Sequence, residues 1–290
     1  MEVTIWSGLV LGSIYALVAT GFNIAIVPTG VFNFAEGAIV VLGTFMIYEL
    51  LTVLTVPTAW AILLTAVTGG LVGVACELLT VRSLRWRGGS IDNVLVTTVG
   101  AATAIAGFLG VKWGYVTTFI PSVVSANYFH FLGINVRPVE VTTVGLGVVS
   151  AVALDLLFRF TRRGQACLAV REDRDAAMLR GVNVSALSLV AFMAAGVFGG
   201  LVGLLIGPIT FGTPTYATTL ALYGFVAVAL GGEGSFLGGW IGGIVVGLVA
   251  TFAVRYWGAP YGDIAVLALL LAALGLRPKG IRGGAAVRVV

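Results

Sequence analysis

The residue types that carry most enzyme chemistry are scarce in this sequence. His130 is the only histidine, and Cys76 and Cys167 are the only cysteines. A haem held by two histidines, or a histidine-rich metal site, needs more ligands than one histidine supplies. A serine protease acting within a membrane would need a histidine on a helix, whereas His130 lies in an aromatic loop. We therefore predict no catalytic centre and no metal site, and we interpret the cysteines as ordinary apolar or loop residues.

Lysine is equally scarce, and this excludes one route to ATP binding. The phosphate-binding loop of many ATPases requires a lysine that is followed by serine or threonine. The two lysines of this chain, Lys112 and Lys279, are followed by Trp113 and Gly280. The sequence therefore predicts a protein without an ATPase site of this kind, and hence with no cofactor on the chain itself.

The composition indicates that the elements carrying these residues lie in a membrane. Hydrophobic residues make up 59% of the 290 positions and charged residues only 10%, and the mean hydropathy is +1.09. A soluble protein of this size could not cover itself with so few charges. We predict an all-α, polytopic bundle of transmembrane helices that forms a single domain over residues 1–290. Glycines at small-residue spacing predict close helix packing, and the clearest set is Gly196, Gly199, Gly200 and Gly203.

Apolar stretches near the roughly 20 residues that cross a bilayer recur along the chain. The predicted spans are residues 5–27, 35–54, 58–79, 90–111, 138–160, 184–206, 216–254 and 263–276. The glycine-rich residues 231–235 divide the stretch 216–254, so the total is eight or nine spans. We expect the aromatic residues 112–137 to form an ordered external loop with a short interfacial helix.

Proline and charge set the expected ends of several spans. Pro28 is predicted to break the chain after the first span, and Pro208 to mark a loop after the sixth. Residues 82–90 are predicted to form a basic loop, and Ser90 to begin the helix that follows. Asp155 and Arg159 are spaced to pair on one helix face.

The basic residues indicate the orientation in the membrane, because Lys and Arg accumulate in cytoplasmic loops. All but Lys112, Arg137 and Arg255 fall in three clusters, at residues 82–87, 159–180 and 277–288. Nine spans place these clusters on one side, so we predict an external N-terminus and a cytoplasmic C-terminus. The same bias explains the basic charge without nucleic acid binding, which we exclude.

Polar side chains at membrane depth are candidates for a transport pathway, because ionisable groups are costly in lipid. Glu36 follows the break after the first span, close to Asn33, and Asn23 lies inside that span. Two alternatives stay open. Glu36 could be a carboxylate stabilised by a helix N-terminus, and Asn23 could bond another helix. The predicted pathway residues are Tyr15, Asn23, Asn33, Glu36, Thr97 and Thr98.

The longest polar stretch covers residues 161–183 and is predicted to form a cytoplasmic segment. Residues 169–180 predict one short amphipathic helix, with Val170, Ala177 and Leu179 among its apolar residues. A solvated helix with charge pairs would show the same sequence pattern. An apolar face on a polar loop, however, needs a partner to cover it. We therefore predict a docking surface, ended by the C-cap Gly181. Its residues are Arg171, Glu172, Asp173, Arg174, Asp175, Arg180 and Gly181.

Four motifs in order along nearly the whole chain resemble the permease family of branched-chain amino acid ABC transporters. They are residues 11–17 with 30–37, residues 171–183, residues 229–243 and residues 276–281. The position of the first motif is closer to the short LivH type of subunit than to the longer LivM type.

The resemblance implies a fold, a location and a set of partners. The chain would be a permease subunit of a type II-like ABC importer in the cytoplasmic membrane of a bacterium or archaeon. It would pair with a LivM-like second permease, two cytoplasmic ATPase subunits and an external solute-binding protein. ATP and Mg²⁺ would bind to the ATPases, and residues 171–183 would be the segment that couples them to transport by alternating access.

One departure from the family pattern concerns the substrate. Many family members carry histidine or glutamine where this chain has Glu36, and a carboxylate there could change substrate preference or bind an amino group. The family also includes importers of urea, amides and small carboxylates. A stand-alone channel or secondary carrier, and a polytopic enzyme or scaffold, are the alternatives outside the family.

Overall fold

The computed structural model describes residues 1–86, 88, 91–124, 129–131, 134–276 and 280–281. This part of the chain is mainly helical, as predicted. The elements are α1 (Glu2–Thr29), α2 (Glu36–Tyr48), α3 (Thr58–Cys76), α4 (Ser83–Trp86), α5 (Ile91–Trp113), β1 (Phe129–Phe131), β2 (Ile134–Val136), α6 (Pro138–Phe160), α7 (Arg162–Glu172), α8 (Arg174–Leu179), α9 (Val184–Thr210), α10 (Tyr216–Gly231), α11 (Phe236–Trp257) and α12 (Tyr261–Leu276). Two π-helical segments, Glu49–Val53 and Glu77–Arg82, continue α2 and α3.

Seven helical stretches in the described residues are long and apolar enough to cross a membrane. They are Glu2–Thr29, Glu36–Val53, Thr58–Trp86, Asp92–Trp113, Pro138–Phe160, Val184–Thr210 and Phe236–Trp257. Two further apolar helices, Tyr216–Gly231 and Tyr261–Leu276, are shorter. The predicted polytopic helical class is confirmed, and the stretch 216–254 contains two helices separated by a turn.

Proline does not end the first and sixth spans where we expected. Pro28 lies inside α1, which continues to Thr29 and ends because Gly30 adopts a left-handed conformation with φ +68°. Pro208 lies inside α9, which continues to Thr210. Each proline lies in about the last turn of its helix, so few helical residues follow it. Proline therefore interrupts little of the helix at these positions.

The third span is longer than predicted, because residues 82–86 of the expected basic loop are helical. The π-helical segment Glu77–Arg82 leads directly into α4. Arg87 and Ser90 lie outside the described residues. The residues 49–53 and 77–81 both read Glu-Leu-Leu-Thr-Val, and both are π-helical. The sequence analysis missed this repeat.

The predicted external loop contains a β-hairpin in its described part, where we expected a short helix. Strands β1 and β2 pair antiparallel, with Phe129 opposite Val136 and Phe131 opposite Ile134. The reason is visible in the sequence, because Phe-His-Phe and Ile-Asn-Val alternate apolar and polar residues with the period of a strand. Tyr128, another aromatic residue of this loop, is outside the described residues.

The chain packs as two compact units. The first comprises residues 1–30, residues 144–184 and the described residues from 223 onward. Within it α1 lies against α11 along several turns, and glycines allow the two backbones to meet. A Cβ atom on Gly243 would lie 2.4 Å from the Ala16 nitrogen, and one on Gly247 would lie 2.2 Å from the Gly12 nitrogen. Only glycine permits so close an approach.

The second unit comprises residues 31–143 and 185–222. The predicted glycine packing is confirmed there, because α9 meets α2 and α3 through its glycines. A Cβ atom on Gly196 would lie 2.2 Å from the Gly69 carbonyl oxygen, and one on Gly203 would lie 2.3 Å from the Val40 carbonyl oxygen. The Thr44 hydroxyl adds a hydrogen bond to the Gly203 carbonyl oxygen at 2.9 Å.

Candidate functional site

The segment before α2 places Asn33 and Glu36 together in the second unit. Asn33 folds the chain locally, since its side-chain oxygen accepts a hydrogen bond from the Ala35 nitrogen at 3.3 Å. Its carbonyl oxygen accepts another from the Glu36 nitrogen at 3.0 Å. This asparagine turn ends the non-helical segment and starts α2 at Glu36, as asparagine often does beside a helix N-terminus.

The Glu36 carboxyl group is buried without a hydrogen-bond partner. The residue is 1% exposed, and neither of its carboxyl oxygens has a partner among the described residues. A Cβ atom on Gly199 would lie 2.7 Å from Oε1 of Glu36, so this glycine makes room for the carboxyl group. The side-chain nitrogen of Asn33 is also buried and unpaired. Buried polar groups of this kind are rare and call for a partner such as a bound ligand.

The two predicted threonines lie on α5 in the same unit. The Thr97 hydroxyl is satisfied within its helix, by the carbonyl oxygens of Asn93 and Val94. Thr98 is buried, and its hydroxyl lies 2.8 Å from the Leu95 carbonyl oxygen and 3.4 Å from that of Phe32. Thr98 therefore joins α5 to the segment that carries Asn33. The Thr97 hydroxyl bonds within the described residues stay inside α5.

A cavity of about 260 Å³ adjoins this segment, and the sequence analysis did not foresee it. It is mainly apolar, with Phe34 on one side and the hydroxyl-bearing Thr103 and Thr218 among its walls. The full lining is Phe34, Val99, Ala102, Thr103, Ala106, Ala217, Thr218, Ala221 and Leu222. A cavity with apolar walls and a few polar groups is a typical form of small-molecule site.

Tyr15 and Asn23 lie in the first unit, and both are packed or bonded there. The Tyr15 ring meets the Tyr223 ring edge-on, with 4.8 Å between centroids, and the Tyr223 hydroxyl donates a hydrogen bond to Asp263. Asn23 is fully buried and bonds Gly234 and Ser235 in the turn between α10 and α11. The Asn23 side chain thus bonds another segment, which was the alternative to a pathway position.

The predicted amphipathic helix over residues 169–180 is wrong, because the chain bends at Asp173. Helix α7 begins at Arg162, capped by Thr161, and ends at Glu172. Asp173 is extended, with φ −151°, and its carboxylate caps α8 by accepting from the Ala176 nitrogen at 2.9 Å. Aspartate favours this capping position over a helix interior. Gly181 follows α8 with φ +85°, as expected of a residue that ends a helix.

The segment formed by α7 and α8 has a buried side and a charged side. Cys167, Val170 and Ala177 are buried, and burial raises the pKa of the Cys167 thiol to about 11. The exposed charged residues of the predicted docking surface are Arg171, Glu172, Asp173, Asp175 and Arg180, and Arg174 is half-buried. Leu179 is 90% exposed in this chain, so nothing in the described residues covers it. A single exposed apolar side chain is common on protein surfaces, and the docking surface stays a prediction.

Two further acidic residues form contacts that the sequence did not reveal. Glu77 is 2% exposed, and its Oε2 lies 3.3 Å from Nε of Arg82. Glu49 accepts a hydrogen bond from the Trp113 indole at 2.7 Å and pairs with Lys112 at 3.7 Å. Both glutamates begin the π-helical segments, and the repeated Glu-Leu-Leu-Thr-Val was the signal that could have identified them.

Apolar helices, a buried carboxyl group, an apolar cavity and an exposed charged segment are together the features of a multi-pass membrane permease. Comparison with known protein families identifies the permease family to which the chain belongs. Residues 4–274 match the family "Branched-chain amino acid transport system / permease component", so the chain belongs to that family. The resemblance found in the sequence motifs is therefore confirmed.

Individual relatives agree with this family over almost their full lengths. The chain is 26% identical to the high-affinity branched-chain amino acid transport system permease protein LivH of Escherichia coli K12, over 96% of this chain and 94% of that protein. It is 25% identical to BraD of Pseudomonas aeruginosa with the same coverage. It is 22% identical to a probable LivH of Methanocaldococcus jannaschii, over 95% of this chain and 90% of that protein.

A solved structure shares the fold. PsaBC from Streptococcus pneumoniae, in complex with Fab, matches with a TM-score of 0.50 and 13% sequence identity. The match covers 94% of this chain and 91% of that chain. At this identity the likeness concerns the fold alone.

Proposed function

We propose that this chain is the permease subunit of an ATP-driven ABC importer for branched-chain amino acids. The observation that carries the proposal is the family match over residues 4–274, together with relatives that are named as branched-chain amino acid permeases. Residues 1–290 would form the transmembrane domain, with a second, LivM-like permease beside it. Two cytoplasmic ATPases would bind ATP and Mg²⁺, and an external solute-binding protein would deliver the substrate.

Asn33 and Glu36 are the strongest candidates for contact with the transported amino acid. Among the described residues the Glu36 carboxyl group has no partner, so it offers an acceptor for an α-ammonium group, and the Asn33 amide nitrogen offers a donor for a carboxylate. The apolar cavity lined by Phe34 suits a branched aliphatic side chain. Thr97 and Thr98, and in the first unit Tyr15 and Asn23, remain predicted pathway residues.

The segment formed by α7 and α8 is the proposed coupling site for the ATPases. Its charged residues face solvent, and the exposed Leu179 supplies an apolar contact. ATP binding would draw the ATPases together and move this segment, and alternating access would follow from rigid-body movement of helices. The residues we assign to docking are those predicted from the sequence, from Arg171 to Gly181.

The experiment that tests this function is reconstitution of the chain with its partners. We expect the ATPases to co-purify with the chain, and proteoliposomes to take up leucine only with ATP and loaded binding protein. Glu172→Lys should lower uptake by roughly tenfold or more, since reversing one charge at an interface costs about 1.4 kcal/mol or more. Glu2→Lys is the matched control, because it reverses an exposed charge outside this segment and should leave uptake unchanged.

Three outcomes would each contradict part of the proposal. Leucine uptake by the chain alone, without ATPases, would identify a secondary carrier or channel. Uptake of urea or an amide in preference to leucine would agree with an ABC importer but would overturn branched-chain amino acids as its substrate. Glu172→Lys with unchanged uptake and unchanged ATPase stimulation would remove the coupling role of this segment.

A further inference from the structure

The turn between α10 and α11, residues 232–235, is bonded to the coupling segment. From the last turn of α7, Nη2 of Arg171 donates a hydrogen bond to the Glu233 carbonyl oxygen at 2.5 Å. This bond joins residues 62 positions apart in the chain. It is charge-assisted, and such bonds are stronger and better defined in geometry than neutral ones. The end of α7 is therefore attached directly to the backbone of this turn.

The same turn is bonded from its other side to the first helix. Asn23 of α1 accepts a hydrogen bond at Oδ1 from the Gly234 nitrogen at 2.8 Å. Its Nδ2 donates to the Ser235 carbonyl oxygen at 3.2 Å. One buried side-chain amide thus bonds two consecutive residues of the turn, Gly234 and Ser235. It does so from within an apolar helix, where polar residues are costly.

Glycine at position 234 makes both attachments possible. Its φ of +67° belongs to the left-handed region, which favours glycine. A Cβ atom there would lie 2.3 Å from Nη1 of Arg171. The guanidinium group therefore rests directly on this residue, whose nitrogen is bonded to Asn23. Arg171 and Asn23 therefore bond the same peptide group, the one that joins Glu233 to Gly234.

The consequences of moving this turn follow from helix packing in the first unit. Glycine contacts lock α1 to α11, which begins immediately after the turn, so the two helices move together. We propose that the 232–235 turn transmits the movement of α7 to α1 and α11, with Arg171 and Asn23 as positioning residues. This inference rests on the proposed function, because the ATPases must first move α7.

The test measures leucine taken up per ATP hydrolysed by the full reconstituted importer. The variants are Arg171→Ala, Asn23→Leu and the double variant. We expect each single variant to retain co-purified ATPases and to lower uptake per ATP roughly fivefold or more, the low end of coupling between two sites. The double variant should be no worse than the poorer single variant, because both residues act through one turn.

Two control variants, Arg180→Ala and Arg255→Ala, separate this role from docking to the ATPases. Arg180 belongs to the same charged surface, and in the described part of the structure no bond joins it to the turn. Arg180→Ala should therefore combine with Asn23→Leu so that the two effects multiply. Arg255→Ala, on the far end of α11, should keep the uptake per ATP of the parent chain. If Asn23→Leu fails to insert, Asn23→Ser removes the same two bonds with a smaller side chain.

The results that would overturn the inference are distinct from those that would overturn the proposed function. Multiplying effects of Arg171→Ala and Asn23→Leu, or an unchanged uptake per ATP in either one, would show that the turn transmits nothing. Failure of the ATPases to co-purify with the parent chain would instead overturn the function itself. A loss of co-purification confined to Arg171→Ala would assign Arg171 to docking only and would also overturn the inference.

Discussion

Glu36 shows how much a single residue reveals before a structure is known. Its type and its position after a break in the chain identified it as a candidate, and the structure confirms that it begins α2. The sequence could not reveal that both carboxyl oxygens would lack partners. That property depends on Gly199, which lies far along the chain and leaves the space that the carboxyl group fills.

A substitution of Glu36 should separate stability from transport. Glu36→Leu is close in volume and removes the unpaired polar group, so the thermal unfolding midpoint of the purified chain should rise. The reason is that an unsatisfied buried polar group costs about 1–3 kcal/mol. Leucine uptake should fall at least about tenfold, because a charge-assisted hydrogen bond to the ligand is worth about 1.5–3 kcal/mol. Unfolding would be followed by static light scattering, and uptake in proteoliposomes.

The control for this substitution is Glu2→Leu, which changes an exposed acid in the first turn of α1. Glu2→Leu should change neither the thermal unfolding midpoint nor the leucine uptake by much. Unchanged uptake in Glu36→Leu would refute a role in transport and would leave Glu36 as a residue that favours the N-terminus of α2 through the helix dipole.

At the scale of helices, periodicity and composition predicted which elements exist, and local chemistry decided where they end. The span over residues 138–160 matches α6 at both ends, and the Asp155–Arg159 pair is present at 2.9 Å. The helix predicted over residues 169–180 fails because hydrophobic periodicity carries no information about Asp173, whose side chain caps a new helix.

Glycine spacing is informative about packing but not about partners. Small-residue spacing on α9 correctly indicated close helix contacts, and the structure supplies the partners, α2 and α3. No comparable inference was made for α11, although its glycines Gly243 and Gly247 meet α1. Which helix lies opposite depends on the three-dimensional arrangement, and spacing along one helix cannot specify it.

The α1–α11 contact should be sensitive to one methyl group. Gly247→Ala places a Cβ atom 2.2 Å from the Gly12 nitrogen, so the helices must separate. We expect a loss of about 1–3 kcal/mol or more, typical of overpacking, seen as a lower unfolding midpoint in detergent. Gly275→Ala is the matched control on α12, because a Cβ atom there would meet no atom of the described residues within 4 Å. Equal midpoints for both variants would contradict the packing described for α1 and α11.

For the whole chain, composition alone established a membrane protein, and charge distribution suggested its orientation. The helix lengths add a question that composition could not raise. The 16-residue helices α10 and α12 are each about 24 Å long at 1.5 Å per residue, against roughly 30 Å of hydrocarbon. If both cross or neither does, the number of spans is odd and the termini lie on opposite sides.

Terminal tags test this orientation directly. A fluorescent protein fused after the C-terminus should fluoresce, since the cytoplasmic side holds the basic clusters. An epitope placed before Met1 should be reached by antibody in spheroplasts without permeabilisation. An epitope accessible only after permeabilisation, with the C-terminal fluorescence retained, would mean that only one of the short helices crosses. Arg277, Lys279, Arg282 and Arg288, which contribute to the basic C-terminus, lie outside the described residues.

The π-helical segments have a consequence for changes in chain length. A π-helical turn accommodates one residue more than an α-helical turn, and one residue corresponds to about 100° of rotation. Glu77 faces inward, whereas Leu79, about 200° further around the helix axis, is 75% exposed. A one-residue deletion within 77–82 should be absorbed by restoring α-helical geometry, with Ser83–Trp86 kept at nearly the same rotation about the helix axis. These are the positions where this chain could lose a residue without losing a helix.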